Sequence, residues 1–166
     1  MKLALQTLNE LESEGLIGRW AIGGAMALLF HDEPVATYDL DIFCAIPHSG
    51  LLVSLAPIYE ALRARGYRAE GEAVVIGGVP VQLLPAHNQL VQEALDRAPS
   101  HTFEGIAARV VSLEYLMAIM LQTNRPKDRE RLATLAGNEA VDRSRLDEVL
   151  SRHGLVEAWN RLTQAR

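Results

Sequence analysis

The spacing of apolar and polar positions changes several times along the chain, and each change predicts an element. Residues 3–11 repeat leucine at helical spacing with acids on the other side, and Gly15 follows, which predicts a first helix that ends near this glycine. Residues 19–22 predict a short strand. Gly23 and Gly24 interrupt the pattern, and the compact apolar run at 25–30 then predicts a short helix.

Strict alternation replaces this pattern between Tyr38 and Ile46. One face carries only apolar side chains, whereas the opposite face carries Asp39, Asp41 and Phe43. Successive side chains of a strand point to opposite faces. The segment is therefore predicted to be a half-buried strand with two carboxylates on its polar face.

The middle of the chain predicts a helix over 51–65 and a hairpin turning at Gly77 and Gly78. A two-residue turn there pairs Ile76 with Val79. Pro80 lacks a backbone N–H and indicates a strand with an edge side. The later predicted elements are a helix at 88–97, a hairpin at 101–111, a helix at 112–122 and three helical segments beginning near Pro126, Ser144 and Leu155.

Strands followed by helices predict an α/β (α+β) fold, in which a mixed twisted sheet is flanked by helices and followed by a C-terminal helical segment. We expect residues 1–166 to form a single domain. Within it, residues 1–111 would form the α/β core, and residues 112–166 would pack on that core as helices.

Composition excludes several classes of protein. With 49% hydrophobic and 22% charged residues, the chain is not typical of disordered proteins. Cys44 is the only cysteine, so no disulfide scaffold is expected. The longest apolar run, residues 20–30, is too short to span a bilayer. No export signal is recognisable, and a cytoplasmic location is predicted.

The net charge of −5 lies entirely in residues 1–83, which hold five basic and ten acidic residues. A broad surface for duplex nucleic acid is therefore not expected, although a local patch could meet a phosphate. Residues 125–131 hold four basic and two acidic side chains around Lys127, the only lysine besides Lys2. This run suits either a solvated helix face or a phosphate contact.

Asp39 and Asp41 form the sharpest chemical feature of the sequence. Two positions along a strand place their Cα atoms about 6.5–7 Å apart. Their carboxylates repel, so the pair requires either water or a divalent cation. Both alternatives, a solvated strand face and a metal site, stay open on this pair alone.

Gly23 and Gly24 favour the interpretation of this pair as a metal site over a solvated strand face. A glycine turn between a strand and a helix lets backbone N–H groups approach an anion. No Gly-Lys-Ser/Thr follows, so the turn is not a P-loop. A phosphate cradle beside a dicarboxylate is the combination that phosphoryl or nucleotidyl transfer needs.

The stretch WAIGGAMALLFHDEPVATYDLDIF resembles the signature of the nucleotidyltransferase superfamily with the DNA polymerase beta-like fold. GGAMAL, Thr37 and the later RPKDRERL most resemble the AbiEii-like nucleotidyltransferases of toxin–antitoxin systems. The resemblance covers residues 18–46 and extends loosely to about 135. It implies transfer of a nucleoside monophosphate from an NTP to a hydroxyl on an unidentified acceptor, such as a tRNA, a protein or a small molecule.

The resemblance also implies a role for each matching position, and Asp39, Asp41 and Lys127 would be the catalytic residues. The implied contacts are Gly23 and Gly24 with the donor phosphates, Thr37 and Gln82 with the nucleotide, Asp39 and Asp41 with Mg²⁺ or Mn²⁺, and Lys127 with a phosphate.

Three positions depart from the family pattern. Gln82 stands where a third carboxylate is expected, and an amide can neither act as a base nor add charge. Strand parity predicts that Glu72, the obvious substitute, faces away from Gln82. Val35 stands where a basic residue is common, and Asp32 replaces a common glycine.

Two carboxylates supply little negative charge for binding a divalent cation, so we expect the metal to arrive with the nucleotide. The missing third carboxylate leaves an alternative open, a catalytically impaired module of the same fold that binds a nucleotide or a protein partner. A further alternative is an acidic protein-interaction domain whose Asp-x-Asp is only a polar strand face.

Overall fold

The computed structural model describes residues 1–31, 33–34, 36–47 and 54–164. The chain divides into two compact units, Met1–Val111 and Ser112–Arg166. The first unit contains both sheets, whereas the described part of the second unit is helical. The predicted α/β fold class is confirmed. That both units pack as one domain stays a prediction.

Five strands of the first unit form a mixed sheet in the order β1-β2-β5-β4-β3. β2 and β5 are parallel, and the other neighbours are antiparallel. The predicted hairpin near residue 104 forms a separate two-stranded sheet of β6 and β7. The strands are β1 (Trp20–Ile22), β2 (Leu40–Cys44), β3 (Arg68–Glu70), β4 (Ala73–Ile76), β5 (Val79–Pro85), β6 (Ser100–Phe103) and β7 (Ile106–Arg109).

Four helices accompany these strands in the described residues of the first unit. The predicted first helix is present, and Leu5, Leu8 and Leu11 on its apolar stripe are fully buried. Asn88 caps another helix, because its side chain accepts a hydrogen bond from the Val91 amide at 2.9 Å. The helices are α1 (Lys2–Ser13), α2 (Gly24–Leu29), α3 (Ala56–Ala64) and α4 (Gln89–Asp96).

β2 shows the predicted alternation of buried and partly exposed side chains. Leu40, Ile42 and Cys44 are fully buried, whereas Asp41 and Phe43 on the opposite face are partly exposed. The strand is shorter than the sequence pattern predicts. The apolar face of β2 forms part of the core, and its polar face borders the site described below.

The register of the β4–β5 hairpin is as predicted, with Ile76 opposite Val79 and Val74 opposite Val81. The edge interpretation of Pro80 is wrong, because β5 lies between β2 and β4. Pairing with β2 begins at Val81, one residue later. The missing N–H of Pro80 therefore lies outside the parallel ladder and does not interrupt it.

The second unit consists of four helices in its described residues. α5 is buried from Leu113 to Leu121. The buried Glu114 side chain accepts hydrogen bonds from the Ser112 hydroxyl at 2.9 Å and the Asp142 amide at 3.2 Å. The helices are α5 (Leu113–Thr123), α6 (Pro126–Leu135), α7 (Arg143–Arg152) and α8 (Val156–Gln164). None of the helices in the described parts of the chain is long and apolar enough to cross a membrane.

Candidate functional site

The glycine turn lies between β1, which ends at Ile22, and α2, which begins at Gly24. The Gly23 amide donates a hydrogen bond to the backbone carbonyl of Asp41 at 2.8 Å. This bond joins the turn to β2. The glycine turn and the aspartate-bearing strand, which the sequence singled out separately, therefore lie side by side.

The carboxylate of Asp41 lies directly against Gly24. A Cβ at Gly24 would be only 2.7 Å from the Asp41 Cγ and would overlap Oδ2. Gly24 also has a φ of +56°, which L-residues with side chains rarely adopt. Glycine is therefore required at this position by its conformation and by the closeness of Asp41.

Gly23 packs against Phe43, the next side chain after Asp41 on the polar face of β2. A Cβ at Gly23 would lie 2.5 Å from Phe43 Cδ2. Asp41 and Phe43 thus pack against the two glycines, which gives both glycines a structural role that the sequence did not suggest. Their contact with donor phosphates stays a prediction.

Gln82 lies beside Asp41, because the two residues are partners in the parallel β2–β5 ladder. Its Nε2 donates a hydrogen bond to Glu72 Oε2 at 2.9 Å. The prediction that Glu72 faces away from Gln82 is therefore wrong. Glu72 lies in the turn between β3 and β4, outside either strand, so the alternation of strand side chains does not set its direction.

Asp39 and Thr37 precede β2 and are not part of its ladder. The Asp39 amide lies 3.4 Å from the Thr37 hydroxyl oxygen, and the Asp39 side chain is exposed. The structure therefore brings together Asp41, Gln82, Glu72 and the glycine turn. Asp39 is the residue immediately before β2 and lies outside this group.

The donor atoms near β2 suit a hard cation. The carboxylates of Asp39 and Asp41 and the amide oxygen of Gln82 belong to the ligand class of Mg²⁺. Within the described residues, no group of three or more His, Cys, Asp or Glu side chains is arranged to hold a metal ion. The donors fit Mg²⁺ in kind, but the protein supplies few of them.

One solved structure supports this architecture. The chain matches the structure of an antigenic nucleotidyltransferase-like protein from Paracoccidioides brasiliensis with a TM-score of 0.54 and 16% identity, over 95% of this chain and 88% of that one. The solution structure of the antibiotic-resistance factor ANT(2'')-Ia matches with a TM-score of 0.48 and 16% identity, over 99% and 90%. No family model and no curated protein matches the sequence.

The chain has a nucleotidyltransferase-like fold. At 16% identity the match concerns the fold and not the chemistry. The implied roles of individual residues therefore depend on the geometry of this chain.

Lys127 and two departures from the family pattern are the remaining predicted features of this nucleotidyltransferase-like chain. Lys127 is exposed in the first turn of α6, in the second unit, and among the described residues no side chain pairs with it. Its phosphate contact stays a prediction. Val35 and Asp32, two departures from the family pattern, lie outside the described residues.

Cys44 has a structural role, as its alternation with Leu40 and Ile42 indicates. It is fully buried, and burial raises the pKa of its thiol to about 12. The thiolate required of a nucleophile is therefore disfavoured.

Proposed function

We propose that this protein is a metal-dependent nucleotidyltransferase that moves a nucleoside monophosphate from an NTP to a hydroxyl acceptor. One observation carries the proposal: the Asp41 carboxylate lies against the Gly23-Gly24 turn, with Gln82 beside it. A carboxylate next to a turn that begins a helix combines a cation ligand with backbone N–H groups.

Asp41 also explains why a cation is needed. Triphosphate oxygens near the glycine turn would lie close to this carboxylate, and two unit charges 4 Å apart repel by about 4 kcal/mol at an effective dielectric of 20. Asp39 and Asp41 would together hold Mg²⁺ or Mn²⁺. When bound, the metal would neutralise and orient the phosphates.

The metal is proposed to arrive with the nucleotide, because the protein contributes only two carboxylates. Thr37 would contact the nucleotide near the start of β2, and Lys127 would meet a phosphate. Gln82 would orient the nucleotide, since an amide cannot accept the proton of the attacking hydroxyl.

In the proposed reaction, the acceptor oxygen forms a bond to the α-phosphorus, and the bond from that phosphorus to the bridging oxygen of the leaving group breaks. Pyrophosphate leaves, and the hydroxyl proton passes to water. The acceptor is proposed to be a tRNA, a protein or a small molecule. The resemblance of GGAMAL and RPKDRERL to AbiEii-like proteins favours a cytoplasmic enzyme of a toxin–antitoxin system.

Gln82 supports a second candidate function. If nucleotidyl transfer requires a third carboxylate at this position, the chain is an impaired module that binds a nucleotide or a protein partner. Nucleotide binding without transfer distinguishes this candidate from the enzyme.

Label transfer from each α-labelled NTP to RNA, protein and small hydroxyl acceptors tests the proposal, together with thermal shift in the presence and absence of Mg²⁺. Asp41→Asn should abolish both transfer and metal-dependent stabilisation. Asp147→Asn, which removes one charge from the exposed face of α7, is the matched control and should retain both.

Stabilisation without transfer would favour the binding module. If no NTP stabilises the protein with or without Mg²⁺, both candidates are wrong and the interaction-domain interpretation stands.

A further inference from the structure

We propose that Glu72 is a positioning residue that orients the side-chain amide of Gln82, so that the amide presents its oxygen toward the Asp41 side of the site. Gln82 would then act as a neutral oxygen donor to the nucleotide-bound cation. This inference rests on the proposed function for the identity of the ligand. The orientation of Gln82 is a property of the protein alone.

The strand order places Gln82 between two acidic side chains. β5 lies between β2 and β4 in the sheet. On the β2 side, Asp41 is the ladder partner of Gln82. On the other side, the turn that leads into β4 carries Glu72, whose Oε2 lies 2.9 Å from Gln82 Nε2.

The chemistry of the two groups decides which end of the amide faces Glu72. An ionised carboxylate can only accept hydrogen bonds, and the amide can donate only through its nitrogen. Pairing with Glu72 therefore selects Nε2 for that side. Nitrogen and oxygen leave the amide carbon in different directions, so Oε1 is the atom that remains for a ligand.

The opposite orientation would have a different effect on the site. With the amide reversed, Nε2 would be available to donate to the carboxylate of Asp41, its neighbour in the ladder. That hydrogen bond would occupy a carboxylate oxygen and place a donor where a cation is expected. Glu72 thus keeps Gln82 from competing with the metal for Asp41.

The backbone of Glu72 is hydrogen-bonded to a neighbouring helix. The Tyr59 hydroxyl of α3 donates a hydrogen bond to the Glu72 backbone carbonyl at 3.3 Å. The Glu72 carboxylate also contributes to the raised pKa of Tyr59, after burial and the Cys44 thiol. Both observations place Glu72 close to Tyr59 of α3.

The first test measures the orientation without any ligand. The side-chain amide protons of Gln82 are followed by ¹H–¹⁵N NMR in the wild type, Glu72→Ala and Glu72→Gln, and their signals are assigned by their absence in Gln82→Ala. Glu72→Ala should shift these signals strongly, because the charged acceptor is lost. Glu72→Gln retains an accepting oxygen and should shift them less.

Glu70→Ala is the matched control. Glu70 is an exposed acid at the end of β3 on the same turn, and its removal should leave the Gln82 signals in place. Equal signals in Glu72→Ala and the wild type would overturn the inference. The same spectra show whether each variant is folded.

The second test measures binding of Mn²⁺ together with a non-hydrolysable ATP analogue. Loss of a side chain that orients a metal ligand commonly weakens metal affinity 10- to 100-fold, and for this exposed pair we expect about tenfold in Glu72→Ala. Glu72→Gln should recover most of the affinity, and Glu70→Ala should match the wild type.

The exchange variant E72Q/Q82E adds a sharper comparison. It reverses donor and acceptor, restores the hydrogen bond and places a carboxylate at position 82. It should bind the metal–nucleotide complex at least as tightly as the wild type, whereas Gln82→Glu alone sets two carboxylates against each other and should bind less tightly than the exchange variant.

The outcomes separate the two proposals. If the wild type binds no metal–nucleotide complex, the proposed function fails and with it the donor role of Gln82. If the wild type binds and Glu72→Ala binds equally well, the inference alone is overturned and the proposed function stands.

Discussion

Gly24 is the residue on which the local geometry of the site depends. Its left-handed backbone and its contact with Asp41 both exclude a side chain. The first effect is a strain of about 1–2 kcal/mol for an L-residue. The second is an overlap with a short, poorly adjustable carboxylate.

Replacement of Gly24 by alanine should therefore lower the free energy of unfolding by about 2–4 kcal/mol, as strain and overpacking combine. Urea denaturation of the wild type and the variant measures the difference. Gly15→Ala is the control, since Gly15 has a φ of +72° with no atom within 4 Å of its added Cβ. Equal losses in both variants would contradict the role given to Asp41.

Cys44 allows a prediction about pH. Burial raises the pKa of its thiol from an ordinary value of 9.0 to about 12 in the folded protein. A raised pKa stabilises the fold fully below pH 9, and this contribution is lost as pH rises, because the unfolded chain ionises first. Between pH 9 and pH 10 the loss is about 1 kcal/mol.

The measurement compares urea denaturation of the wild type and Cys44→Ala at pH 8, 9 and 10. Other groups titrate in both proteins, so the difference between the two free energies isolates the thiol. That difference should shrink as pH rises. A constant difference would show that the thiol ionises equally in both states.

At the scale of elements, the β4–β5 hairpin shows what local pattern can and cannot predict. A two-residue glycine turn sets the pairing of Ile76 with Val79, and the register follows from it. Glu72 lies in the next turn along the chain, where side-chain alternation no longer applies. Its contact with Gln82 is therefore visible only in the folded chain.

Within the second unit, Glu114 ties the start of α5 to α7. Its buried carboxylate accepts bonds from Ser112 and the Asp142 amide, and Arg145 Nε lies 3.8 Å from it. Such a group stabilises mainly by satisfying buried partners.

Glu114→Ala should lower the free energy of unfolding by about 1–3 kcal/mol, because it leaves the buried Ser112 hydroxyl and the Asp142 amide without their acceptor. Glu157→Ala removes an equally sized acid from an exposed ion pair with Arg161 and should cost less than about 0.5 kcal/mol. Chemical denaturation of both variants makes the comparison. Equal costs would show that the Glu114 contacts add nothing to stability.

At the scale of the whole molecule, charge connects the site with its ligand. The net charge of −5 lies in residues 1–83, which include Asp39 and Asp41. This acidic half would repel a free triphosphate more strongly than its metal complex, because the bound cation cancels part of the negative charge of the phosphates. Metal and nucleotide should therefore bind together.

We expect Mn²⁺ alone to bind weakly, and Mn²⁺ with a non-hydrolysable ATP analogue to bind much more tightly. Electron paramagnetic resonance of free Mn²⁺ measures both titrations. Asp41→Asn should remove the gain that the nucleotide provides. Tight binding of Mn²⁺ to the protein without nucleotide would contradict this coupling.

The sequence by itself determined the features that depend on neighbours along the chain. These are the alternation of β2, the glycine turn before α2 and the register of the β4–β5 hairpin. Each follows from periodicity or turn chemistry within about ten residues, where backbone geometry leaves few alternatives.

Only the tertiary structure decided which distant residues meet. β5 inserts between β2 and β4, and this pairing brings Gln82 beside Asp41. The Asp41 carboxylate packs against Gly24, and Glu72 reaches Gln82 from a turn. Strand order is set by burial of the whole sheet, since any strand can supply the same backbone hydrogen bonds to a neighbour. The residues that meet at the site therefore depend on the strand order, and burial of the apolar face of the sheet determines that order.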